Sequence, residues 1–123
     1  MKIVRASELP VDTSDTGVQA LRLVNRDRGA RTMTAGVATF EPGAAIPLHT
    51  HPCEETVVIL KGRAVAQIED RTFHLSTHDA TIVPPRTPHC FRNETREPMT
   101  IAYFYPDVDV SRDPVEDDSA RQF

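Results

Sequence analysis

The stretch "GAAIPLHTHPCEETVVILKG", residues 43–62, decides the fold of this chain. It places three side chains able to bind a transition metal, His49, His51 and Glu55, directly ahead of the aliphatic run Val57, Val58, Ile59, Leu60. On an extended chain successive side chains alternate between two faces. His49, His51, Glu55, Val57 and Ile59 are all odd-numbered, so with a bend at Pro52 all five point to one side. Two imidazoles and a carboxylate make a poor packing surface, because buried polar groups need partners. One divalent transition-metal ion would satisfy all three through mixed nitrogen and oxygen ligands. The competing reading is a solvated surface loop, and this stretch alone does not decide between them.

Outward from this stretch the chain reads as strands. "VQALRLV" (18–24) and "TMTAGVATF" (32–40) are β-capable, and "ETVVILKGRAVAQIE" (55–69) reads as two strands hinged at Lys61-Gly62. "TFHL" (72–75), "ATIVP" (80–84), "HCFRN" (89–93) and "MTIAYFY" (99–105) follow. Turn cues separate them at Glu41-Pro42-Gly43, Glu69-Asp70-Arg71, Pro84-Pro85 and Glu97-Pro98. Short strands at this spacing predict an all-β sandwich or barrel. Five glycines in 123 residues are few for such a fold, so Asn, Asp or His must form some of the tight turns. No internal repeat is visible.

A chain of 123 residues is one domain by length and buries a real core. With 39% apolar and 26% charged residues it has a globular profile. No apolar run approaches the roughly 20 residues of a membrane helix. The opening "MKIVRASELP" carries neither a long apolar stretch nor a small-residue cleavage site. A cytoplasmic location is therefore expected, with Cys53 and Cys90 as thiols. The net charge of −4 has a definite place. Residues 106–123 hold Asp107, Asp109, Asp113, Glu116, Asp117 and Asp118 against Arg112 and Arg121, so residues 1–105 balance to zero. The chain divides into a barrel, 1–105, and an acidic C-terminal extension, 106–123. No basic patch stands out, which argues against nucleic acid as a partner.

A second stretch, "HDATIVPPRTPHCFRN" (78–93), completes the pattern. Gly43, His49, His51, Glu55 and Gly62 fill the spacing Gly-x5-His-x-His-x3-Glu-x6-Gly, and Pro84, His89 and Asn93 follow in the second stretch. The pair of motifs, 43–62 and 78–93, resembles the cupin superfamily, in particular its small single-domain members. That resemblance implies a double-stranded β-helix, the jelly-roll barrel. It also implies that His89 is a fourth metal ligand beside His49, His51 and Glu55. On a six-coordinate ion this set leaves two adjacent positions for substrate. A homodimer is implied as well, for which Met1–Ala6 is the candidate contact. Two positions depart from the family pattern: His78 and Arg86 stand where glycines are expected. Histidine tolerates positive φ better than most residues, so the first turn can survive.

The ion expected is Fe, Mn, Ni, Cu, Co or Zn. Met33, Val37, Ile46, Val57, Ile59, Phe91 and Tyr103 are candidates for the apolar pocket around it, with core packing as the alternative for each. Tyr103 alone among them offers a polar tip to a substrate. Three functions are open. A redox-active ion binding substrate and O2 together gives dioxygenase chemistry. An ion acting only as a Lewis acid gives isomerisation, dehydration or decarboxylation of a carbonyl substrate, and requires a general base. A non-catalytic small-molecule binder is the third. The inward set holds no carboxylate beyond Glu55, and His78 and Tyr103 are the remaining candidates for proton transfer. This favours the dioxygenase reading slightly.

Overall fold

The computed structural model describes residues 1–116, so Asp117, Asp118 and Arg121 of the acidic extension lie outside the described residues. The chain folds into ten strands: β1 (Val18–Val24), β2 (Thr34–Phe40), β3 (His49–Thr50), β4 (Glu55–Lys61), β5 (Ala64–Ile68), β6 (Arg71–Leu75), β7 (Ala80–Val83), β8 (His89–Arg92), β9 (Met99–Tyr105) and β10 (Asp113–Pro114). Two single-turn 3-10 helices, Ala6–Glu8 and Arg26–Arg28, are the helical elements among the described residues. No helix among them is long and apolar enough to cross a membrane.

Two five-stranded antiparallel sheets, β1-β2-β9-β4-β7 and β10-β3-β8-β5-β6, form the jelly roll. Side chains alternate between the inner and outer face of each strand. In β4, Glu55, Val57 and Ile59 are 4%, 1% and 0% exposed, while Leu60 is 43% exposed. The inward rows meet in one core of Val18, Ala38, Phe40, Val57, Ile59, Phe91, Met99 and Ile101. Phe40, Ile59 and Met99 have no measurable exposure, and each such side chain contributes roughly 1.5–3 kcal/mol by leaving water.

Both departures from glycine adopt the left-handed backbone the pattern requires. His78 has φ 76° and Arg86 has φ 58°. The turns hold because their amides are used: His78 N–H donates to the Ile59 carbonyl at 2.7 Å, and Arg86 N–H to the His51 carbonyl at 2.8 Å. Cys53 and Cys90 are not joined in a disulfide. The Met1–Ala6 segment enters no strand, and Ile3 is 64% exposed. The described part of the acidic extension lies against the barrel. Asp113–Pro114 pairs with His49–Thr50, so β10 borders β3 and makes it an interior strand.

Candidate metal centre

Four sequence-selected side chains come together at one end of the barrel. His49 lies in β3, His51 just beyond it, Glu55 opens β4 and His89 opens β8. They are 2%, 4%, 4% and 1% exposed. β3 pairs with β8 at a single position, His49 opposite His89, which brings two imidazoles side by side with ring centroids 4.4 Å apart. The ring of His51 stands edge-on to His49 at 4.7 Å.

A main-chain carbonyl aims each imidazole. His49 Nδ1–H donates to Pro47 O at 2.7 Å, His89 Nδ1–H to Thr87 O at 2.7 Å, and His51 Nδ1–H to Ser111 O at 2.8 Å. With Nδ1 so used, Nε2 faces the common centre, which is the arrangement that orients metal-ligating histidines. One ligand atom from each of the three histidines lies within 4.8 Å of the other two. The donor set therefore fits a divalent transition metal. The Glu55 carboxylate lies against this group, with Oε1 2.8 Å from His89 Nε2 and Oε2 3.6 Å from His51 Nε2.

The electrostatics separate the histidines. Burial lowers the pKa of His49 to about 4, outweighing its bond to Pro47. Burial also lowers His51. For His89 burial acts in the same direction, but the hydrogen bonds to Glu55 and Thr87 outweigh it and its pKa is raised. Glu55 stays below the ordinary carboxylate value, because His89 and Tyr105 overcome the effect of its burial. His49 and His51 thus present neutral nitrogens near pH 7, while His89 shares a proton with Glu55.

One neighbour of the candidate site escaped the sequence reading. Tyr105 Oη lies 3.1 Å from His51 Nε2, and the phenol also hydrogen-bonds Glu55. Burial and the nearby Glu55 charge push its pKa far above the ordinary tyrosine value, so it keeps its proton. The signal was available: Tyr105 shares parity with Tyr103 on β9, so the two rings point the same way.

The centre opens into a cavity of about 600 Å³, within the range of small-molecule sites. Ile46, Val57, Phe91 and Tyr103 line it as expected, together with Ala38, Phe40 and Ile101. Three other pocket candidates lie elsewhere. Ile59 is buried in the core and does not reach the cavity wall. Val37 sits on the face of β2 opposite Ala38 and Phe40, because the inward residues of that strand are even-numbered. Met33 precedes β2 and is 39% exposed. His78 is exposed in its turn and is not part of the wall. The Tyr103 phenol lies over Gly36, its partner across β2 and β9, where any Cβ would run into it. Residues from outside both motifs build the mouth: Asp12, Asp15 and Arg22 before them, and Asp109 and Arg112 after them.

Comparison with known proteins agrees with this architecture. The family model Cupin_2: Cupin domain matches residues 36–105. Among curated proteins, the auxin-binding protein T85 of Nicotiana tabacum is 33% identical over 67 residues, covering 54% of this chain and 33% of that protein. Polyketide synthase CurC of Streptomyces cyaneus is 35% identical over 66 residues, covering 53% of this chain and 43% of that protein. The match thus spans less than half the length of each relative. Among solved structures, the polyketide cyclase RemF from Streptomyces resistomycificus superposes with a TM-score of 0.80 at 19% identity, over 100% of this chain and 94% of that one. At that identity the likeness concerns the fold.

Proposed function

Since this chain belongs to the Cupin_2 family of cupin domains, we propose that it is a metal-dependent enzyme acting on a small, oxygen-rich carbonyl compound by Lewis-acid chemistry. His49, His51, His89 and Glu55 would hold the ion. When bound, a divalent ion at these residues polarises carbonyl oxygens and stabilises the enolate form of a dicarbonyl. The observation that carries the reading is the three aimed imidazoles and Glu55 beneath a cavity of about 600 Å³ that also receives two phenols. Tyr105 keeps its proton at neutral pH and stands beside the ligand nitrogens. It donates to a substrate oxygen as charge develops there. Tyr103, held above its ordinary pKa by burial, offers a second donor further up the wall. Phe40, Val57 and Phe91 exclude water around the reacting carbon skeleton. Tyr105, which keeps its proton, is an acid rather than the missing base; its placement as a donor to a developing oxyanion is what favours the Lewis-acid reading. CurC is named as a polyketide synthase, and a polycarbonyl substrate of that kind suits a cavity with apolar walls and oxygen-seeking groups at its floor.

The test compares protein loaded with Zn(II), which has no redox chemistry, with protein loaded with Fe(II). Both are offered a panel of 1,3-dicarbonyl and 2-oxo-acid compounds under air and under nitrogen. The expected result is turnover with either ion that persists without oxygen. A dioxygenase is the second reading, since the mixed imidazole and carboxylate donors also suit Fe(II). Product formed only with Fe(II), with stoichiometric loss of O2, would establish it and reject the Lewis-acid reading.

A further inference from the structure

His51 takes its orientation from Ser111, a residue beyond the last strand of the matched family segment. The strap 107–115 carrying Ser111 is fastened at several points. Thr34 Oγ1 donates to the Asp107 carbonyl at 2.8 Å, and Arg26 Nε to Asp109 at 2.9 Å. Val115 N–H donates to the Leu48 carbonyl at 3.1 Å, and Asp113 and Pro114 pair with Thr50 and His49. The fastening nearest Ser111 is its neighbour Arg112, whose guanidinium makes a two-point bond with Asp15 at 2.7 and 2.9 Å. Asp15 belongs to the loop before β1 and is partly enclosed, with its side chain 20% exposed.

We propose that the Asp15–Arg112 pair is a positioning element of the metal centre: it fixes the strap so that the Ser111 carbonyl holds the His51 ring with Nε2 toward the ion. The segments flanking the family core thus complete the site, and Asp15 acts on the metal through Arg112, Ser111 and His51 in turn. Partners that orient a ligating histidine change metal affinity by about 10–100-fold when lost. A partner one step further out belongs at the lower end of that range. The two-point geometry matters here, because a guanidinium and a carboxylate meet in one relative orientation.

This inference rests on metal binding at the histidines and is independent of the reaction. Zn(II) affinity is measured by chelator competition for the full chain, for Asp15→Asn, for Arg112→Ala, and for the exchange D15R/R112D. Co(II) absorption spectra report ligand geometry in the same proteins. The expected result is about tenfold weaker Zn(II) binding and an altered Co(II) spectrum in each single variant, with both restored in the exchange. Single variants that bind Zn(II) like the parent, or an exchange no better than the singles, overturn the positioning role. A parent protein that binds no Zn(II) or Co(II) overturns the metal centre itself, a separate failure. Should one single variant not fold, the other and the exchange still decide the question.

Discussion

His89 is where proton and metal compete most directly. Its Nε2 proton is shared with Glu55 and its pKa is raised, whereas His49 is lowered to about 4. An ion needs all three imidazoles neutral. His49 therefore costs little in proton competition above pH 5, and the pH dependence of affinity comes mainly from His89. Because the folded pKa of His89 lies above its ordinary value, affinity should keep rising as pH increases past ~6.5, and calorimetry in buffers of different ionisation enthalpy should find net proton release on ion binding that diminishes as pH rises. In the metal-stripped protein, NMR titration should show His49 protonating far below His89. The sign for stability follows: the unfolded chain takes up a proton at His49 near pH 6.5 and the folded chain only near 4, so this residue's contribution to stability is lost as pH falls through that window. His49→Ala and His89→Ala should each strip most of the metal, read by elemental analysis. Tyr105→Phe should keep the ion but lower kcat by about 10²-fold or more. Tyr105 was legible through its parity with Tyr103. The Ser111 carbonyl was not, because a main-chain acceptor 60 positions away leaves no mark on residue type or spacing.

At the scale of elements, strands that alternate inward and outward side chains could be read closely. β1 spans Val18–Val24 and β9 spans Met99–Tyr105, the limits expected of them. β3 and β10 have two residues each and are defined by pairing with neighbours. A pair of residues carries no periodicity, so β10 could not be seen in advance, nor the docking of residues 107–115 that goes with it. Gly36 shows how tightly an element can be specified. A Cβ there would press on the Tyr103 phenol and lie 2.5 Å from the Leu21 carbonyl oxygen. Gly36→Ala should destabilise the protein by about 1–3 kcal/mol and displace Tyr103, measured by denaturant unfolding and by loss of activity. The opposite is expected at His78 and Arg86, which hold positive φ without being glycine. His78→Gly and Arg86→Gly relieve a left-handed penalty of roughly 1–2 kcal/mol against a smaller gain in unfolded-chain entropy. Both should unfold no earlier than the parent.

For the whole molecule, metal binding and folding share one free energy. The proposed ligands lie on three strands and the segment beyond β3, drawn from both sheets, so an ion bound there only by the folded form would tie the sheets together. At a free concentration of 100 times Kd, Zn(II) should add about 2.7 kcal/mol, a rise in thermal midpoint on the order of 10 °C, reversed by EDTA. Two charged residues in the described part of the acidic extension have partners at the cavity mouth: Asp109 meets Arg26 and Arg112 meets Asp15. The order of synthesis gives these contacts a further meaning. A chain is made from its amino end, and two imidazoles receive their guiding carbonyls from residues two positions earlier, Pro47 and Thr87. His51 waits for Ser111, so a growing chain can close all ten strands' worth of barrel wall except the last and still have one ring unaimed. The centre matures late, after the polypeptide that surrounds it has already been laid down.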